Sequence, residues 1–302
     1  MVRDEGVNLD SENRDASAES MLNAQVDPSL TDWRGIELPD AWPDQLQLNT
    51  FTDFSKLMRF IFSERARVVL PDGMPGQAVV PKYMLQEFHN LPNGYYSKQL
   101  TAGYIRSFNR VMLGTLQHSH SRLANTLRNC QSVLDVGCAG GSGAAALKSA
   151  GIEDVWGIDP SPYLLQQAAN THPDLKLIQA TAEDTTFPDQ RFDGISVCFL
   201  MHEIPPKHAA RALQEFSRIL RPGGLVAIAE PSPLQMHLSA WALFKQAGWK
   251  GLYFKALAWH VFEPFVDAWH KRNLSAWFDE HGFDLVEDDN SVPIRYLLAR
   301  KR

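Results

Sequence analysis

Between residues 133 and 299, short apolar runs alternate with stretches whose apolar positions recur every three or four residues. Val133, Leu134 and Val136 form one run; small residues follow, then Ala144, Ala145, Ala146 and Leu147. That pattern is a buried strand turning into a helix. Residues 155–158, 175–179, 195–199 and 225–229 read as four further strands. Helical spacing separates them, as in Ala210, Leu213, Phe216 and Ile219. Such alternation predicts an α/β protein with a parallel, doubly wound sheet. Ligands of these sheets sit outside the carboxyl ends of the strands.

Upstream the pattern changes. Residues 1–30 carry seven acids against Arg3 and Arg14 and contain no aromatic residue, so they read as a disordered tail. Pro39, Trp42 and Pro43 mark an extended connector reaching about residue 48. Phe51, Phe54, Leu57, Met58, Ile61 and Phe62 then line one face of an amphipathic helix, expected to lie on the core. Residues 81–89 suggest a short helix, closed by Pro92, Asn93 and Gly94, and residues 99–127 carry one long helical pattern. His118 and His120 are two apart, hence on different helix faces, and read as solvent-facing rather than as metal ligands. No metal site is expected. The chain therefore divides into a tail and connector (1–48), a helical extension or lid (49–128) and a main domain (129–302).

A net charge of −6 argues against a nucleic-acid surface, which needs a clustered basic face. Cys130, Cys138 and Cys198 have neither disulfide nor metal spacing, which suits a reducing compartment. No run reaches the roughly 20 apolar residues of a membrane span, and no signal core opens the chain. A cytoplasmic location is the expectation.

The turn after the first strand, D-V-G-C-A-G-G-S-G from Asp135 to Gly143, holds candidate chemistry. Glycines such as Gly137 and Gly141 let backbone approach a ligand closely. An acid inside the turn, Asp135, would repel a diphosphate and attract a cationic ligand. A G-x-G-x-x-G frame starting at Gly137 fails at Ala139 and Ser142, so a dinucleotide site is disfavoured. Asp159 ends the second strand 24 residues past Asp135, where an acid accepts hydrogen bonds from ribose hydroxyls. Its bland alternative is a helix cap, for which Ser161 is better placed.

Four segments in order, V-L-D-V-G-C-A-G-G, G-I-D-P-S, A-E-D-T-T-F-P-D-Q-R-F-D and E-F-S-R-I-L-R-P-G-G, resemble the class I S-adenosylmethionine-dependent methyltransferases. The likeness is to the type 11 group, which includes ubiquinone and menaquinone C-methyltransferases. It implies a Rossmann-like seven-stranded sheet with an antiparallel last strand, residues 283–286 and 294–299 forming the closing pair. It implies S-adenosylmethionine as cofactor. Asp135 and Gly137 would hold its methionine part, beside Cys138, Ala139 and Gly141. Asp159 would clasp the ribose next to Pro160, and Ala182, Glu183 and Asp184 would lie by the adenine. Residues 198–201, Cys198 and Phe199 first among them, would floor the reactive methyl. Ala139 departs from the family's usual glycine.

Methyl transfer from a sulfonium needs alignment, a dry pocket and often one base. His202, just after the fourth strand, is the best-placed base, with Glu203 and Glu230 next; packing or loop orientation is the alternative for His202. Glu230 is a candidate substrate contact or a structural cap, and Tyr95 and Tyr96 could close over the pocket. Residues 232–278 hold eleven aromatics, Trp241 among them, and read as a helical insertion capping an apolar acceptor. Lysines among those tryptophans make a membrane-surface face the lesser reading. The expected activity is methyl transfer to carbon, oxygen or sulfur of a small, mainly apolar or aromatic molecule. The rival is a non-catalytic S-adenosylmethionine-binding module.

Overall fold

The computed structural model describes residues 31–62 and 67–302; the acidic stretch expected to be a disordered tail lies outside them. Seven strands form one sheet: β1 Ser132–Val136, β2 Asp154–Asp159, β3 Lys176–Gln179, β4 Phe192–Cys198, β5 Leu220–Pro231, β6 Phe283–Asn290 and β7 Ile294–Lys301. Their spatial order is β3-β2-β1-β4-β5-β7-β6. Strands β1 to β5 pair in parallel, and β7 runs antiparallel between β5 and β6. The sheet is the Rossmann-like arrangement expected. Every residue of β1 is buried, as a strand covered on both faces requires. Strand order reverses between β1 and β4, and a crevice opens beyond their carboxyl ends.

Ten helices are described: α1 Phe51–Phe62, α2 Lys98–Val111, α3 Thr115–Leu127, α4 Ser142–Ser149, α5 Pro162–Thr171, α6 Pro206–Ile219, α7 Leu234–His237, α8 Ala240–His260, α9 Val266–His270 and α10 Leu274–Glu280. The single helical pattern over 99–127 is broken in two. Leu113 and Gly114 take φ values of 49° and 80°, which end α2 and re-aim α3. Leu123, Ala124 and Leu127 of α3 then join the core formed with β1, α4 and β5. Strand β5 starts before the run read at 225–229 and carries a bulge: Leu220 pairs with Phe192, and pairing resumes at Leu225 opposite Gly194.

Residues 32–48 are tied down along one edge. Trp33 Nε1 donates to Leu177 O, Gln166 Nε2 to Ile36 O and Tyr163 Oη to Pro39 O. Asp44 receives the Ser97 hydroxyl and the amides of Lys98 and Gln99, so a distant carboxylate caps α2. Of the apolar face expected on α1, Leu57 is buried whereas Phe51 is 86% exposed. Periodicity identifies an apolar face but not what covers it.

The aromatic insertion folds as α7 to α10. Phe254, Trp269, Trp277 and Phe278 are buried, whereas Trp241, Phe244, Trp249 and Trp259 stay exposed. Gly248 interrupts α8 with φ 60° and ψ −150°. No helix among the described residues is long and apolar enough to cross a membrane.

Candidate active site

Beyond β1 the chain turns through backbone that favours glycine. Gly137 and Gly141 have φ values of 69° and 79°, and the amides of Gly137 and Cys138 both donate to Ile158 O at the end of β2. Ala139 holds φ 45°, a left-handed conformation that strains a residue with a Cβ. Its amide donates to Asp159 Oδ2 at 3.1 Å, and Ser161 N donates to Oδ1 at 2.8 Å. Ser161 is indeed the cap of α5, its hydroxyl accepting from Leu164 N. Asp159 is thereby left as a loop-binding acid at the strand end.

A cavity of about 1030 Å³, solvent-open space included, lies against this turn. Asp135, Gly137, Cys138, Ala139, Asp159, Pro160, Ala182, Cys198, Phe199, Glu203 and Tyr95 all line it. The other expected site residues stand elsewhere. Gly141 turns toward Leu175 and Ala168, Asp184 is exposed, and Glu183 holds Tyr83 Oη and His208 Nδ1 at the rim. Tyr96 is fully buried against Tyr163, so the tyrosine pair faces two ways. Trp241 is 65% exposed and stacks on Phe244.

Burial dominates the electrostatics of this cavity. It pushes Asp135 up to about 7, against hydrogen bonds from Ser196 and the Ala144 amide. It pushes Asp159 to about 7 as well, with Glu203 and Asp135 adding repulsion against the two amide hydrogen bonds. Two acids in so dry a place are matched to a positively charged occupant. A Cβ at Gly143 would lie 2.6 Å from Asp135 Oδ2, so that glycine makes room for the carboxylate; sequence reading missed it. It also missed His120, expected in solvent, which lines the cavity and is pulled down to about 4 by burial.

A second cavity adjoins the first, and Tyr104, Phe108 and Phe199 line both. Its wall from the insertion is Gln235, Phe254, Leu257, Ala258, Val261 and Glu263. Phe254 is thus the one ring of the insertion that lines it; the rest of that wall is mainly aliphatic. Gln235 Oε1 is buried with no hydrogen-bond partner, an acceptor in want of a donor.

Where the two cavities meet, the turn after β4 presents His202 and Glu203. Glu230 of β5 organises that turn: it accepts the amides of Leu200, Met201 and His202, and its Oε2 lies 2.5 Å from His202 Nδ1. Glu230 therefore stands behind the site, as a cap for the turn, and lines neither cavity. His202 lines the second cavity and Glu203 the first. Burial would lower the His202 pKa, but Glu230 and Glu263 override it and raise it well above the ordinary imidazole value. A histidine held in that state keeps its proton and serves poorly as a base. His89 completes the group, its backbone at φ 56° and its Nδ1 2.9 Å from Tyr95 Oη. Neither His89 nor Glu263 sits in a motif; only the fold brings them here.

Residues 133–224 match a family described as a methyltransferase domain. An uncharacterized methyltransferase of Synechocystis is 29% identical over 158 residues, covering 52% of this chain and 68% of that protein. A ubiquinone/menaquinone biosynthesis C-methyltransferase of Bordetella avium is 33% identical over 136 residues, and the chain spans 52% of its length. A demethylmenaquinone methyltransferase of Chlorobaculum tepidum is 32% identical over 99 residues, 40% of its length. Against a solved S-adenosylmethionine-dependent methyltransferase of Archaeoglobus fulgidus the TM-score is 0.48, with 16% identity over 66% of this chain and 100% of that one. Residues 133–224 thus carry a methyltransferase domain, and with the sheet order and the acid-lined turn the chain resembles the type 11 S-adenosylmethionine-dependent methyltransferases.

Proposed function

We propose that this protein transfers the methyl group of S-adenosylmethionine to carbon, oxygen or sulfur of a small, mainly apolar or aromatic acceptor bound in the second cavity. The observation that carries the reading is the pair of adjoining cavities: one flanked by two buried acids and a tight turn, the other mainly apolar, with three aromatic residues shared between them. The first fits the cofactor chemically. Asp135 would meet its positive charge, Asp159 its ribose hydroxyls, and Ala182 its adenine, and Cys198 and Phe199, which line the same cavity, would floor the reacting methyl. When bound, the cofactor supplies an electrophilic methyl whose leaving group departs neutral.

The chain's own part is alignment and exclusion of water. Leu257, Ala258 and Val261 present an apolar wall, and Gln235 Oε1 offers one acceptor to a hydroxyl or amino group on the bound molecule. Glu203, on the cofactor side of the junction, and His202, on the acceptor side, are the polar groups that face the reacting pair. That two relatives are named as quinone methyltransferases favours a ring-containing acceptor.

Turnover to S-adenosylhomocysteine with a panel of quinols, phenols and thiols tests the proposal. Product with at least one class is expected. Cofactor binding with no product from any acceptor would favour a binding module instead.

A further inference from the structure

The cluster where the cavities meet has the composition and spacing of a metal site. His89 Nε2 lies 3.3 Å from Glu203 Oε1 and 3.5 Å from Glu263 Oε1, and His202 Nε2 lies 3.5 Å from the same Glu263 oxygen. Ligand atoms of His89, His202 and Glu203 all fall within 4.8 Å of one another. Good N–H···O hydrogen bonds run to about 3.2 Å, so these three contacts are long for that role. Zinc bonds of 2.0–2.1 Å to nitrogen and oxygen place neighbouring ligands of a tetrahedron about 3.3–3.4 Å apart. The three contacts lie close to that edge length.

Hydrogen bonding on the far side of each ring agrees. Tyr95 Oη donates its one proton to Glu203 Oε1 at 3.1 Å, so its contact with His89 must be supplied by His89 Nδ1–H. His202 Nδ1 is committed to Glu230 in the same way. Both rings are thus held with Nδ1 protonated and Nε2 directed at the common centre. A carboxylate or hydroxyl behind a ligating imidazole is how metal sites fix tautomer and orientation. Charge points the same way: three carboxylates, Glu203, Glu230 and Glu263, surround two imidazoles that are both largely buried. A divalent cation that displaces the Nε2 protons offsets part of that carboxylate charge.

We propose that His89, His202, Glu203 and Glu263 bind one divalent transition-metal ion of the zinc type at the junction of the two cavities. Imidazole with carboxylate suits zinc, iron(II), cobalt(II) or manganese(II) better than magnesium, which favours an all-oxygen shell. His89, His202 and Glu263 also line the second cavity, so the ion stands where it can take an oxygen of the acceptor. That last assignment rests on the methyl-transfer reading; the ligand set does not.

The test uses the full chain, stripped with a chelator and dialysed against Zn²⁺ or Co²⁺. One equivalent per chain is expected, with the intense visible absorption of four-coordinate cobalt(II). His202→Ala and Glu263→Gln should each weaken Zn²⁺ binding at least 100-fold, and Glu230→Gln by about 10- to 100-fold. His118→Ala, on the exposed face of α3, should change nothing. Binding of S-adenosylmethionine by each variant reports whether it has folded, and the wild-type cobalt spectrum decides even where a variant does not. No stoichiometric uptake, uptake of Mg²⁺ in preference to Zn²⁺, or unchanged Zn²⁺ affinity in a folded His89→Ala/His202→Ala double variant would overturn the assignment. Metal uptake without methyl transfer to any acceptor would sink the function proposed above and leave this site standing.

Discussion

At Asp159 one carboxylate accepts the amide of Ala139 through one oxygen and that of Ser161 through the other, joining the turn after β1 to the start of α5. Replacing it with alanine leaves two amides without their acceptor and removes the proposed partner of the ribose. Asp159→Ala should weaken S-adenosylmethionine binding at least about tenfold and cost about 1–3 kcal/mol of stability. Calorimetric titration and denaturant unfolding measure both, and unchanged affinity would remove the ribose assignment. Asp135 and Asp159 also make binding depend on pH. A carboxyl titrating at about 7 when folded and about 4 when unfolded keeps its proton longer in the folded chain. Folding then takes up protons between those values. The cofactor-free protein should accordingly lose this contribution to stability as pH rises from about 4 to about 7, with no further loss above. A cationic ligand prefers the ionised pair, so its affinity should climb between pH 6 and 8. Asp135→Asn should flatten that climb, and an equally steep profile in the variant would contradict the mechanism.

Helix α2 illustrates how an element can be held by a distant segment. Ser97 caps it locally by accepting from Leu100 N, yet the amides of Lys98 and Gln99 go to Asp44. The helix carries Tyr104 and Phe108, which line both cavities, so its seating decides how the two spaces meet. Asp44→Ala should destabilise the protein by about 1–2 kcal/mol through loss of a helix-terminal carboxylate. Cofactor binding should weaken less than in Asp159→Ala, since the acids at the strand tips remain. Unfolding curves and binding titrations compare the two variants directly, and a larger binding loss in Asp44→Ala would refute this ranking. The α2–α3 break and the bulge in β5 share a lesson at this scale. An unbroken apolar period was interrupted in the first case, and a strand reached beyond its apolar run in the second.

Over the described molecule, the first cavity is walled by Tyr83, Met84 and Tyr95 from before α2 as well as by the sheet. A ligand bridging those parts stabilises only the folded state. Saturating S-adenosylmethionine at about 100 times its dissociation constant should add about 2.7 kcal/mol. Thermal melting should shift upward by several degrees, and Asp159→Ala should need correspondingly more ligand for the same shift. An unmoved transition at saturating cofactor would count against the cavity as the binding site.

The alternating apolar pattern alone determined the α/β sheet, and the closely spaced residues Asp135 and Gly137, followed by Asp159, marked the acid-lined turn proposed to hold the cofactor. These features are local: strand, turn and acid lie within a few residues of one another, so spacing carries the information. Tertiary structure alone decided the rest. It placed His89 and Glu263 against His202 and Glu203, put Glu230 behind the turn as its cap, and turned His120 inward. It also left Trp241 exposed while giving the second cavity a mainly aliphatic wall. No period links residues so far apart in the chain; their meeting depends on how helices pack onto the ends of the strands.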